Sequence, residues 1–482
     1  MSMHTSSRRR ALRSTTVASA LALSLTVAAP GAGADEDTNG EVFGSGPDAS
    51  AEFSEQYAAE HGVEFHYQQN QVGTQDAVKM PGGATVRVMG DILGTWSQGV
   101  GMGATDLGVM APLGEGKFAM IFGDSFTGGT VFDGDWMSPT GLVGHLDEDG
   151  FVQVSSPLND GNRVRPLISY APEKDFTLLP SDIINIDGTL YMQGMWNRGL
   201  HNVSNTQIWK SDSRGKRWTS VGYTSHNYLN GLGDMISWEQ GPDGYIYVVM
   251  SSFERKDNVY LSRFKIEDIG DRDKWELFNP GSGEWGDYYA PIIDHRMQAG
   301  EMNLRYIQGY WVLVIFNNET EAIEVRISDE IARNWNDVPV TTIAKNGSWA
   351  NPQSPRNWSQ PYGGYIVPGS TIDNLDVVIS QWNTGTHKRY MATQFNVRGL
   401  DEIYGIDAAS LPALPEPPVA NDIPGADGRS ASNSSLSSGM DETTEKIVTI
   451  VGVLGGIAAI AAMSFPFWRD MLPPQLRQML HI

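Results

Sequence analysis

One unit comes round five times along this chain. The apolar runs KFAMIFGDSF from Lys117, TLYMQGMWN from Thr189, YIYVVMSSF from Tyr245, YWVLVIFNN from Tyr310 and DVVISQWN from Asp376 share one setting. Each follows another short strand across a tight turn, such as Asp187-Gly188 or Pro242-Asp243-Gly244. Each leads into a strand with a chain reversal, as in TQIWKSDSRGKRWT, VYLSRFKIEDIGDRDKWEL and IEVRISDEIARNW. Short apolar strands between Gly, Asn and Asp turns, with no long helical pattern, point to an all-β domain. The unit spans roughly 55–70 residues against about 40–45 in compact propeller repeats, so insertions on one rim are expected. The spacing predicts a five-bladed β-propeller over residues 85–405. An open β-sandwich is the main competitor, and it leaves the recurrence unexplained.

Charge and the two chain ends bound the setting. The 482 residues carry a formal charge of -23 and no cysteine. Phosphate binding needs clustered Lys and Arg, so nucleic acid is excluded as a partner. Disulfides and thiolate metal sites are excluded with the cysteines. Arg8-Arg9-Arg10 and Arg13 precede an apolar run from Thr16 to Pro30, and Ala32-Gly33-Ala34 supplies a small-residue cleavage site. Residues 1–34 therefore read as a signal peptide. The stretch SRRRALR is similar to a twin-arginine signal, with Ala where Phe is usual. Ile447 to Trp468 is uncharged and long enough to span a bilayer. Asp441, Glu442 and Glu445 stand before it, and Arg469 and Arg477 after it. The positive-inside rule then leaves the tail, 469–482, in the cytoplasm and the large domain outside, a single-pass type I protein of the cell membrane. Gly452 and Gly456 could pack two such helices. Residues 35–84 read as a polar lead-in with a short helix near Ser54 to His61, and 406–446 as a Pro/Ser-rich stalk.

In a propeller the first strand of each blade lines the central channel. Asp106 begins such a strand, and Asp182 in LPSDIINI and Asp234 in GDMISW hold similar places. Folding GATDLGVMAPLGEGKFAMIFGDSF about Glu115 sets Asp106 opposite Asp124, because each lies nine positions away. Opposed residues share a face, with Cβ atoms roughly 4.5–5.5 Å apart. Mutual repulsion between two such carboxylates raises one pKa. One protonated and one ionised carboxyl are the equipment of a glycosidase. Candidate substrate contacts near strand ends are Asp182, Trp196, Asn197, Asp234, Tyr289, Asn317, Tyr362 and Trp382, with Trp238, Phe253, Trp285 and Tyr288 as further aromatics. Each has a plainer alternative, since Asp caps turns and aromatics fill the space between blades. No cofactor or metal is expected. There is no compact Asp-x-Asp-x-Asp-Gly loop, and four carboxylates from separate strands leave a Ca²⁺ shell of about 6–8 oxygens incomplete.

Two segments, Ser211-x-Ser213-x-Gly215-x-x-Trp218 and Ser328-x-Glu330-x-Ala332-x-x-Trp335, resemble degenerate forms of the sialidase Asp-box, a turn between outer blade strands. A sialidase would also need an arginine cluster and a nucleophilic tyrosine, which no spacing marks. GATDLGVMAPLGEGKFAMIFGDSF together with GDWMSPTGLVGH resembles a different family. These are the endo-D-arabinofuranases of glycoside hydrolase family 183, formerly filed as a domain of unknown function. The resemblance covers roughly residues 85 to 400. It implies a five-bladed propeller, catalytic aspartates at Asp106 and Asp124, and cleavage of the D-arabinan of arabinogalactan and lipoarabinomannan in mycolic-acid bacteria. The expected protein is an outward-facing glycoside hydrolase acting within D-arabinan. The alternative is a non-catalytic propeller that binds envelope glycan or a partner protein.

Overall fold

In the computed structural model the described residues are 71–170, 176–199 and 202–423. They form β1 (Val78–Lys79), β2 (Thr85–Asp91) and then five sheets around one axis. Blade one holds β3 (Ala104–Gly114), β4 (Lys117–Phe126), β6 (Thr140–Leu146) and β7 (Val152–Pro157), with β5 (Trp136–Met137) beside β4. Blade two is β8 (Phe176–Ile186), β9 (Thr189–Arg198), β10 (Val203–Ser211) and β11 (Thr219–Ser225). Blade three runs β12 (Met235–Gln240), β13 (Ile246–Ser251), β14 (Tyr260–Phe264), β15 (Glu276–Asn279) and β16 (Glu284–Gly286). Blade four is β17 (Ala299–Ile307), β18 (Tyr310–Asn317), β19 (Ala322–Ser328) and β20 (Thr341–Lys345). Blade five is β21 (Pro361–Ile366), β22 (Asn374–Trp382) and β23 (Tyr390–Arg398), completed on its outer side by β2 and β1. The innermost strands touch in the cycle β3, β8, β12, β17, β21 and back to β3, which closes the five-bladed propeller. The five apolar runs of the recurrent unit are the second strands, and they are buried because blades pack on both of their faces.

The Asp-box-like segments fold as turns. Ser211 Oγ accepts from the Gly215 amide at 3.0 Å, and the Trp218 indole donates to the Gly215 carbonyl at 2.9 Å. In the second, Ser328 Oγ accepts from the Glu330 amide at 3.2 Å and the Trp335 indole donates to the Ile331 carbonyl at 2.9 Å. Each tryptophan is buried and pins its turn.

Asp182 and Arg305 form a hub on the axis. The guanidinium of Arg305 (β17) meets both carboxylate oxygens of Asp182 (β8) at 2.9 and 3.0 Å and donates to the Met110 carbonyl of β3 at 3.0 Å. Ser237 of β12 donates to Asp182 at 2.5 Å. One ion pair thus joins four blades.

The ends of the domain differ from expectation. Residues 71–79 run along blade five, where the Val72 amide donates to Asp91 Oδ2 at 2.8 Å and Val78 pairs with Val86. The lead-in therefore ends earlier than residue 84. At the other end, α1 (Leu400–Tyr404) is followed by a strap rather than by a free stalk. Ala420 donates to Leu113 at 3.1 Å, Asn421 to Gly188 at 2.7 Å and Ile423 to Asp212 at 2.9 Å, while Arg214 donates to Asn421 at 2.7 Å. Leu113 lies seven residues along β3 from Asp106, about 23 Å at roughly 3.3 Å per residue, so the strap lies on the face opposite Asp106. Among the described residues no helix is long and apolar enough to cross a membrane. The expected signal peptide, the helix near Ser54, the rest of the stalk, the span at 447–468 and the tail lie outside the described residues.

Four backbone hydrogen bonds at about 1 kcal/mol each amount to roughly 4 kcal/mol for the strap. A chain ended after residue 405 should melt roughly 5–10 °C below one ended after Ile423, at about 2 °C per kcal/mol. Equal melting temperatures by calorimetry would show that the strap contributes nothing.

Candidate active site

Asp106 is the third residue of β3, where regular pairing breaks. Thr105 faces Ser125 and Met110 faces Met120, as folding about Glu115 requires, but Leu107 faces Phe122 and the register steps on both sides of it. Leu107 and Gly108 take φ of 65° and 118° to accommodate the step. At the far end the turn residues Glu115 and Gly116 have φ of 56° and 71°, the left-handed pair that a two-residue type I′ hairpin needs. Register steps recur on other innermost strands: between Pro180 and Asp182 on β8, Ala299 and Met302 on β17, and Tyr362 and Tyr365 on β21. Only β12 pairs without a break. A bulge re-aims a side chain that strict alternation would send elsewhere.

The bulges surround one cavity of about 40 Å³. Asp106, Asp124, Ser181, Arg255, Glu301, Tyr362 and Tyr365 form its polar lining, and Leu107, Leu179, Met195, Met235, Phe253 and Met302 much of the rest. Asp106 is 6% exposed and Asp124 7%. Only glycine fits at 123, because a Cβ there would stand 2.5 Å from Asp106 Oδ1 and 3.0 Å from Leu107 Cδ1. The neighbouring polar side chains form a chain across blade one, with Thr105 to Ser125 at 2.8 Å and Ser125 to Thr140 at 2.8 Å. Blade five supports the bulge from the side, since the Leu107 amide donates to Ser380 Oγ at 2.8 Å.

Burial sets the electrostatics. Asp106 is pushed well above the ordinary carboxyl range by desolvation and then by the Asp124 charge, with a smaller push from Glu301. Hydrogen bonds from Tyr390 and Tyr362 act the other way, and the Tyr362 hydroxyl donates to Asp106 Oδ2 at 3.1 Å. Asp106 Oδ1 has no protein hydrogen-bond partner. Asp124 is pushed up to about 6 by desolvation, opposed by the Trp136 indole N–H, which donates to its Oδ1 at 2.8 Å. Burial thus pushes both carboxyls toward the protonated form, and the Asp124 charge adds to the push on Asp106.

A family profile described as "Domain of unknown function (DUF4185)" matches residues 94–396. The chain belongs to that family. It is 30% identical over 308 residues, 60% of this chain and 90% of the relative, to a Mycolicibacterium smegmatis protein described as an uncharacterized 35.9 kDa protein in the asd 3' region. It is 25% identical over 320 residues, 59% of this chain and 82% of the relative, to the notoamide biosynthesis cluster protein J' of Aspergillus versicolor. In fold it is similar to a solved Bacteroides ovatus protein provisionally described as a hydrolase. The TM-score is 0.50 at 14% identity, over 70% of this chain and 96% of the other.

This DUF4185 propeller gathers some of the residues expected from sequence and disperses others. Tyr362 and Phe253 reach the cavity with the two aspartates. Asp182 does not: it is 0% exposed, because the register step after Pro180 brings it to the axis, where Arg305 occupies it. Asn317 is consumed locally, accepting from the Gln298 and Glu319 amides at 3.2 and 3.1 Å. Trp196 stacks on Phe176 at 4.8 Å and donates to Gln207 at 2.8 Å, and Asn197 beside it donates to the Met195 carbonyl at 3.1 Å. Trp382 packs on Tyr390 at 5.7 Å, and Trp238 is wholly buried. Tyr289 packs on Tyr260, Trp285 on Phe278, and Tyr288 is 87% exposed. Asp234 sits beside the cavity-lining Met235 and is bonded to His226 at 2.6 Å. Burial pushes Asp234 up to about 6, against the His226 bond and charge and the Arg272 charge.

Sequence reasoning missed Tyr390, Trp136, Arg255 and Glu301. For Glu301 a signal existed: it is the third residue of β17, as Asp106 is the third of β3. Among the described residues no His, Asp and Glu group is spaced to hold a metal ion.

A carboxyl whose folded pKa exceeds its unfolded value gives stability that is complete below about pH 3.9 and lost as pH rises through the folded value. For Asp124 that window runs from about 4 to about 6. Asp124→Asn should therefore melt above the wild type near pH 7 and with it near pH 3.5. A difference in melting temperature that stays constant across this range would contradict the assignment.

Proposed function

We propose that this protein is an endo-acting glycoside hydrolase that cleaves the D-arabinan of cell-envelope arabinogalactan and lipoarabinomannan. One observation carries the reading: Asp106 and Asp124 are buried together on one bulge, beside a cavity, and neither forms an ion pair among the described residues. Two carboxyls kept in opposite protonation states are what glycosidic cleavage requires. In this reading Asp106 gives its proton to the leaving oxygen. Asp124, steadied by Trp136, directs its electron pair at water or at the anomeric carbon. A propeller that only bound glycan would have no use for two uncompensated buried carboxyls, whose desolvation is costly. The choice of D-arabinan follows from the resemblance of the Thr105-Asp106-Leu107-Gly108 and Phe122-Gly123-Asp124-Ser125 segments to endo-D-arabinofuranases. We place the enzyme outside the cell, held by residues 447–468, where this polymer lies.

Purified protein incubated with arabinogalactan should release arabino-oligosaccharides. Asp106→Asn and Asp124→Asn should each slow release by at least about a hundredfold, the lower range for losing acid–base help. Variants as active as the wild type would sink the assignment. Release should also survive EDTA.

Tyr362→Phe removes a bond that favours ionised Asp106, so the pKa of Asp106 rises further. The alkaline limb of the pH–rate profile should move to higher pH, while the acid limb, set by Asp124, stays in place. An unmoved alkaline limb would show that Asp106 is not the proton donor.

A further inference from the structure

Glu301 is a third carboxylate at the same cavity, and its surroundings separate it from the ion pairs that hold the fold. It lies on the β17 register step, as Asp106 lies on that of β3, and it is 8% exposed. Arg255 Nη2 donates to its Oε1 at 2.5 Å. The guanidinium is itself held over the rings of Phe316 at 5.1 Å and Tyr362 at 5.3 Å. Glu301 Oε2, by contrast, has no protein hydrogen-bond partner.

Two of the structural pairs leave no such gap. In Asp91, Oδ1 accepts from Arg389 and Thr393, and Oδ2 from Arg389 and Val72. In Asp182 both oxygens are bonded as well. A buried acceptor left open costs free energy. At Glu301 the arginine fixes one oxygen and leaves the other facing a cavity shared with Asp106 and Asp124.

We propose that Glu301 binds substrate, its Oε2 accepting a hydrogen bond from the 2-hydroxyl of the furanose ring held against Asp106 and Asp124. This rests on the glycoside hydrolase reading of the site. A hydroxyl donating to a carboxylate forms a charge-assisted bond, roughly twice as strong as a neutral one. Bonds to the 2-hydroxyl strengthen as the oxocarbenium-like transition state forms. Glu301 transfers no proton in this role. Arg255 acts through it, as a positioning residue.

The test compares full-length wild type, Glu301→Gln and Glu301→Asp on three substrates. These are D-arabinan, an arabino-oligosaccharide with an activated aryl leaving group, and the same aryl glycoside lacking the 2-hydroxyl at the cleaved ring. Glu301→Gln should lower kcat/KM about 10- to 100-fold on the first two, the range for losing a bond to a charged group. On the 2-deoxy substrate the variant and the wild type should agree within about twofold. Glu301→Asp keeps the charge but withdraws the oxygen, so it should show the same pattern and decides the matter if Glu301→Gln does not fold. A loss confined to D-arabinan and abolished by the activated leaving group would make Glu301 a proton donor and overturn the proposal. So would wild-type rates in both variants.

Calorimetric binding of a non-aryl arabino-oligosaccharide separates the two readings. A wild type that binds but does not cleave removes the hydrolase assignment alone, and weaker binding by the variants then still supports Glu301 as a hydroxyl acceptor. Equal binding by wild type and variants, or no binding at all, overturns it.

Discussion

Strand β2 closes the ring, and the site depends on that closure. A chain without cysteine cannot lock a propeller covalently, so its first strand pairs with its last blade, Val86 opposite Val397 and Val88 opposite Phe395. The seam is fastened by the wholly buried pair of Asp91 on β2 and Arg389, joined at 2.6 and 2.8 Å. Arg389 precedes Tyr390, one of the groups that favour the ionised form of Asp106, and blade five also supplies Tyr362 and Ser380 to the same bulge. A loose seam would free the groups that hold Asp106 in place.

Five of the buried carboxylates show two treatments of the same problem. Moving a carboxylate out of water costs several kcal/mol unless it is paired and its lone pairs are satisfied. Asp91 and Asp182 meet that condition through Arg389 and Arg305, and these pairs fasten the seam and the axis. Asp106 and Asp124 do not meet it, and Glu301 meets it at one oxygen only. These three lie together at one place, the end of the channel opposite the C-terminal strap. That concentration is the physical mark of a site kept for chemistry.

How much of this was legible in the sequence depends on range. The hairpin about Glu115 was legible because pairing there is local: the turn residues and the two-residue period fix the register at Thr105 and Met110, whereas the step at Leu107, which takes Asp106 out of a regular cross-strand pair with Asp124, was not legible. The five units were legible because each blade repeats the same turn chemistry. The fate of Asp182 was not, since its partner Arg305 lies 123 positions away and its turn toward the axis depends on a one-residue register step. Trp196 and Trp382 misled for a related reason: a large aromatic at a strand end suits a sugar face and a neighbouring blade equally well. The strap was hidden by composition, because its hold on Leu113 and Gly188 is made by backbone amides that any residue type could supply.

A proton held by the Asp106 and Asp124 pair can be observed by infrared difference spectroscopy. The carbonyl stretch of protonated carboxyls would be followed from about pH 4 to pH 9 in the wild type and in Asp106→Asn. Other acids, such as the half-buried Glu239, pushed up to about 7, cancel in the difference between the two proteins. A proton held on Asp106 should leave a protonated-carboxyl band in that difference that persists well above the ordinary aspartate range. Loss of the band near pH 4, the ordinary aspartate range, would show that Asp106 is ionised at neutral pH and would contradict the proton-sharing site.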